Sequence, residues 1–161
     1  GPISGEEAGM KGNTEENTEK SMDGKMDERL MRLALEARER SYSPYSHFRV
    51  GAALLCGDGS VYTGCNIENA AFTPGICAER TAFAKAVSEG KRSFRAIAIA
   101  GGPEKGHPAF TAPCGVCRQV MAEFCDPETF RIILMNGAGE IREYLLKELL
   151  PLGFTGKALE I

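Results

Sequence analysis

Histidine is scarce in this 161-residue chain: His47 and His107 stand alone, without the spaced partner a histidine metal site would need. No apolar run approaches the roughly 20 residues of a membrane-spanning helix, and no secretory segment is visible. Basic charge is not in excess either. Residues 1–25 hold three lysines and six acidic side chains of the chain's 19 basic and 22 acidic residues, so the formal charge of −3 sits there and residues 26–161 are neutral. A neutral domain lacks the electrostatic footprint of a nucleic-acid binder. Internal repeats are absent. What remains is one domain long enough to bury a core, with no membrane partner and no nucleic-acid partner expected.

Residues 1–25 are rich in Gly, Glu, Asn and Lys and nearly devoid of large apolar side chains. Such a segment cannot offset its ordering entropy, so a disordered tail is expected there. Its opening Gly1-Pro2 reads as a cloning remnant rather than a native start. Residues 26–161 form the expected folded domain.

Against these absences stand six cysteines. Three have metal spacing: Cys77-Ala78-Glu79, then Pro113-Cys114-Gly115-Val116-Cys117. That chemistry fits a reducing, cytoplasmic compartment. Cys114 and Cys117 are three helical positions apart, about 300° around and 4.5 Å along the axis, so both can face one ion. Structural zinc sites are closed by four protein ligands, whereas three leave a position for water, whose pKa the metal lowers to about 7. Cys77 and Glu79 would point apart by about 200° in mid-helix, so Cys77 is expected at a helix start with Glu79 in the first turn. Two helix N-termini would then face the metal and favour thiolates. A closed structural knot is the competing reading. It needs a fourth ligand, but Cys125 lies about 12 Å beyond Cys117 along a helix, and Cys56 and Cys65 read as small residues at strand ends.

Hydrophobic periodicity predicts a helix over 27–40, a strand from Phe48 through Leu54 and a hairpin to residues 61–65. A polar loop over 66–76 leads to a helix from Cys77 to about Ser88. A buried strand over 96–100, a Gly/Pro loop over 101–112, a helix from Cys114 to about Phe124, and strands over 130–135 and 141–144 complete the pattern. Only Gly137-Ala138-Gly139 separates the last two strands, which permits an antiparallel pair and excludes a parallel crossover. The expected fold is α/β, three-layered, with a five-stranded mixed sheet flanked by helices and an antiparallel last strand.

Asn66 and Glu68 alternate at a strand exit and can point the same way. An amide beside a carboxylate suits sugar hydroxyls, and turn or cap chemistry explains the pair equally well. Phe48 reads by default as core. Phe154, among small and polar residues, is poorly explained as core.

Five blocks in order resemble the small, homotetrameric cytidine deaminases: residues 45–54, 64–72, 77–82, 113–120 and 148–151. The Cys-x-Glu and Pro-Cys-x-x-Cys arrangement is the known signature of zinc deaminases. The resemblance implies one Zn²⁺ per chain on Cys77, Cys114 and Cys117, with Glu79 as the proton shuttle. The reaction implied is hydrolysis of cytidine and 2′-deoxycytidine to uridine and 2′-deoxyuridine with loss of ammonia, in pyrimidine salvage. By the same resemblance Arg80 hydrogen-bonds ligand sulfurs, offsetting the net charge of three thiolates on one zinc ion; alone it reads as a surface arginine. Asn66 and Glu68 would bind the ribose 3′-hydroxyl, Phe48 would flank the base, and the backbone around Ala78 would contact it. Phe72 and Phe154 would enter a neighbouring subunit's site in a homotetramer with shared active sites. Phe72 departs from the tyrosine of many relatives, which removes a hydroxyl from the ribose 5′-end.

The block 66–69 favours this reading over a deaminase of blasticidin S, and the short last turn favours a free nucleoside over a polynucleotide.

Overall fold

The computed structural model describes residues 23–159. The tail expected over 1–22 lies outside the described residues. Residues 23–25, counted with that tail by composition, belong instead to the first helix, α1, over 23–38. Leu30, Ala34 and Ala37 recur at helical spacing and are fully buried, so packing against the sheet carries the helix beyond the reach of its local composition.

Five strands follow: β1 (Phe48–Cys56), β2 (Val61–Cys65), β3 (Phe94–Pro103), β4 (Arg131–Met135) and β5 (Ile141–Leu145). Helix α2 (Ala78–Ser88) lies between β2 and β3, α3 (Gly115–Phe124) between β3 and β4, and α4 (Leu146–Leu149) follows β5, with a 3₁₀ turn at Gly156–Leu159. The strand order is β2-β1-β3-β4-β5. Only β3 and β4 are parallel, joined through α3; β5 returns antiparallel to β4, as the short turn requires.

Alternation along the strands divides the core between two faces. Leu54, Ile97, Ile99, Ile132 and Leu134 pack with α2 and α3. Ala53, Ala96, Ala98, Ala100 and Ile133 pack with α1. The alanine-rich face lets α1 sit close to the sheet. A Cβ on Gly51 would collide with the Ala34 carbonyl oxygen and the Arg38 backbone of α1, so glycine sets that approach. Gly64 does the same for α2: its Cβ would lie 2.5 Å from the Ala78 carbonyl oxygen and 2.6 Å from the Ala82 nitrogen.

β3 is longer than the 96–100 run. Gly101 and Gly102, assigned to a loop by their composition, pair with Val50 and Arg49. Residues 107–111 fold back over this end of the strand, leaving no room for side chains at Gly101 or Gly102. Buried Arg38 closes the same corner, donating to the carbonyls of Gly102 at 3.1 Å, Pro103 at 2.7 Å and Arg49 at 3.2 Å.

Candidate active site

The site lies where α2 and α3 begin. Cys77 is the N-cap of α2 and Cys114 the N-cap of α3, both in extended backbone conformation and neither making a side-chain cap hydrogen bond. Both thiols are thereby free to face an ion at the positive ends of two helix dipoles. Cys117, one turn into α3, is buried. The Cys77 and Cys114 sulfurs are 3.8 Å apart, those of Cys114 and Cys117 3.5 Å, and all three lie within 4.8 Å of one another. A tetrahedron with Zn–S bonds of about 2.3 Å has edges of roughly 3.8 Å, so the spacing and the soft donor set both suit zinc.

Packing holds this cradle from behind. Phe83, one turn and a half into α2, meets Phe94 at 5.1 Å between ring centroids and Phe130 at 6.2 Å. Thr81 of the same helix donates to the Cys65 carbonyl at 3.0 Å, tying the first turn of α2 to β2.

The Cys77 and Cys117 thiols act on one another directly. A hydrogen bond from the Cys117 thiol, followed by the Arg80 guanidinium, pushes the Cys77 thiol down to about 5. The same bond, with burial, pushes Cys117 up. Arg80 Nη2 lies 3.4 Å from the Cys77 sulfur, and its Nε is buried with no other hydrogen-bond partner among the described residues. A guanidinium aimed at sulfur, with its Nε still unpaired, is placed to offset thiolate charge.

Glu79 is 4% exposed, and burial raises its carboxyl above the usual range. It nevertheless lines a cavity of about 600 Å³ in front of the cradle, together with Cys77, Ala78, Arg80 and Cys114. A buried carboxyl poised to exchange a proton at the floor of an open cavity can act as general acid and base.

Asn66, Glu68 and Phe72 also line this cavity. The Asn66 amide accepts from the Val50 N–H at 2.9 Å and from the Ser41 hydroxyl, and donates to the Phe48 carbonyl at 2.9 Å. One amide N–H remains uncommitted among the described residues. One Glu68 oxygen accepts from the N–H groups of Tyr45 and Ser46, each at 3.1 Å, which leaves the other oxygen for the cavity. The Ser46 hydroxyl first, then these N–H groups, lowers the Glu68 carboxyl, so it stays ionised at neutral pH. Backbone anchoring and a hydroxyl-sized donor–acceptor pair therefore coexist at these two side chains.

Two expected residues stand apart from the cavity wall. Phe48 lies beyond the last β1–β2 pair, Gly51 with Cys65, where only Pro103 of β3 faces it. Val50, one step inward on the same strand face, lines the wall instead. Phe154 is 60% exposed and outside this chain's cavity. Tyr45, Thr111 and Ala112 line the wall without having been singled out. Thr111 and Ala112 immediately precede Pro113, a proximity that could have flagged them.

The remaining thiols are elsewhere. Cys56 and Cys125 are buried in the core, and Cys65 sits at the end of β2 facing the Arg40 carbonyl.

The cytidine and deoxycytidylate deaminase zinc-binding region matches residues 24–133. Cytidine deaminase of Sporosarcina psychrophila is 49% identical over 132 residues, 82% of this chain and 93% of that protein. The Halalkalibacterium halodurans cytidine deaminase is 50% identical over 136 residues, 84% of this chain and 97% of that protein. The crystal structure of cytidine deaminase from Burkholderia pseudomallei superposes with a TM-score of 0.72 at 45% identity, covering 79% of this chain and 98% of that one. With three cysteines, a buried glutamate and the sheet order all in place, this chain belongs to the zinc-binding cytidine and deoxycytidylate deaminase family.

Proposed function

We infer that this chain hydrolyses cytidine and 2′-deoxycytidine to uridine and 2′-deoxyuridine, releasing ammonia in pyrimidine salvage. The observation that carries this reading is Glu79, buried beside three convergent thiols yet open to the cavity. Cys77, Cys114 and Cys117 would hold a zinc ion, which would supply the Lewis acidity that makes water lose a proton near neutral pH. Glu79 accepts that proton and passes it to ring N3 as the water oxygen adds to C4. It then carries the remaining proton of the added oxygen to the amino group, so that the C4 carbonyl forms, the C4–N bond breaks and ammonia leaves. Arg80 offsets the charge of the thiolates. Ala78, fully buried at the first position of α2, leaves room for the base beside the helix backbone.

Asn66 donates to a ribose hydroxyl and Glu68 accepts from it, the complementary needs of one 3′-hydroxyl. Phe72, 99% exposed at the tip of the loop closed by the Ile67–Ile76 bridge, and Phe154, 60% exposed, offer large rings that their own chain leaves mostly uncovered. They support a homotetramer in which Phe154, outside its own chain's cavity, and the exposed face of Phe72 at the cavity rim complete a neighbour's site, with Phe48 at the edge of the base. The cysteines are all free, which suits a cytoplasmic enzyme. No helix among the described residues is long and apolar enough to cross a membrane. The neutral domain and antiparallel β5 favour a free nucleoside over a polynucleotide.

Incubation with cytidine should lower its ultraviolet absorbance with one ammonia released per nucleoside lost. A folded protein holding one zinc per chain that releases none from cytidine or 2′-deoxycytidine would overturn the assignment.

A further inference from the structure

Helix α3 carries two of the zinc-site cysteines, and the two side chains that follow Cys117 leave the site altogether. Arg118 Nε donates to the Pro113 carbonyl at 2.7 Å, just before Cys114, while its Nη1 donates to the Leu149 carbonyl of α4 at 2.8 Å. Gln119 Nε2 donates to the Phe154 carbonyl at 2.7 Å. Only the amide nitrogen of Gln119 can face a carbonyl, so its orientation is unambiguous.

The chain between these two anchor points is poorly held by anything else. Leu152 has φ +56, an unfavourable conformation for a branched side chain, and its side chain is fully exposed. Among the described residues, the Gln119 bond is the one side-chain hydrogen bond that reaches residues 151–154. Phe154 is itself mostly exposed, so packing within its own chain does not fix the ring.

We propose that Gln119 is a positioning residue for substrate binding, holding the Phe154 segment in register with the helix that carries Cys114 and Cys117. This rests on the reading that Phe154 completes a neighbouring chain's cavity. One helix then sets both the metal cradle of its own site and the aromatic wall offered to the next. Loss of the anchor frees the ring to sample other positions, which weakens nucleoside binding and leaves the proton chemistry alone. One neutral hydrogen bond of this kind corresponds to about a 3- to 10-fold effect.

The test uses the zinc-loaded full chain with cytidine. Gln119→Glu keeps the shape and removes the donor, and is expected to raise KM about 3- to 10-fold with kcat and zinc content unchanged. Gln119→Lys restores a donor of similar reach and should recover most of the lost KM. Adding Gln119→Glu to Phe154→Ala should cost little beyond Phe154→Ala alone, because the anchor acts through that ring. If Phe154→Ala raises KM while Gln119→Glu does not, the anchor is wrong and the wall stands. A Gln119→Glu variant that loses zinc or kcat would also overturn it, by assigning Gln119 to the cradle. If Phe154→Ala itself leaves KM unchanged, the underlying reading fails and this inference with it.

Discussion

Cys77 and Cys114 cap two helices whose first turns are pressed onto the sheet, whereas Phe72 and Phe154 hang from loops and meet mostly solvent. Behind the thiols lie Phe83, Phe94 and Phe130, and Gly64 removes the side chain that would push α2 away. Behind Phe72 lies only a short loop closed by two backbone hydrogen bonds between Ile67 and Ile76. The two regions follow different demands. Proton transfer and metal binding need donors fixed within fractions of an ångström, which rigid elements supply. A nucleoside must enter and leave, and the side chains proposed for its wall are ones that this chain leaves mostly exposed.

That contrast predicts the largest losses in the cradle. Alanine at Cys77, Cys114 or Cys117 should abolish zinc binding and turnover together, as measured by metal analysis and ammonia release. A variant that kept one zinc per chain would break the three-thiol account. Glu79→Gln should come next: zinc stays at one per chain and kcat falls by at least the ~10²–10⁴-fold of general acid–base catalysis. Turnover within about tenfold of the parent, only 1.4 kcal/mol of barrier, would mean that another group carries the proton.

At the rim, Glu68→Gln should raise KM for cytidine by about 10- to 100-fold, the worth of a hydrogen bond to a charged group. An analogue lacking the 3′-hydroxyl should lose far less. Equal losses on both would assign Glu68 to holding residues 45 and 46 rather than to the sugar. The smallest effect is expected at Cys125, buried in the core behind α3. Cys125→Ala should keep full zinc and kcat and cost about 1 kcal/mol of stability in urea unfolding, whereas lost zinc would mean that the cradle extends into the core.

The same contrast divides what sequence alone made legible. Cys77, Glu79, Cys114 and Cys117 are readable because ligand number and helical spacing are local facts, and the short 137–139 turn is enough to orient β5. The first helix begins earlier than composition suggests because burial of Leu30 and Ala34 against the sheet, a tertiary effect, stabilises it. Gly101 and Gly102 read as loop because glycine is weak in strands, yet they pair in β3 where another segment crosses closely. Val50 and not Phe48 lines this chain's cavity, because the β1–β2 ladder ends at Gly51 and Cys65, a boundary that alternation alone does not reveal. Arg38 looks like one more charge on an amphipathic helix until three carbonyls converge on it.

The division between a self-contained cradle and a wall offered to a neighbour is tested most directly by mixing chains. Glu79→Gln protomers retain Phe154, and Phe154→Ala protomers retain Glu79, so co-assembled oligomers contain some sites with both. Activity of the mixture per chain should exceed the average of the two variants measured separately when nucleoside is limiting, with zinc at one per chain throughout. Confirmed mixed oligomers with no gain over that average, or a fully active monomer in sedimentation, would contradict a site completed across two chains.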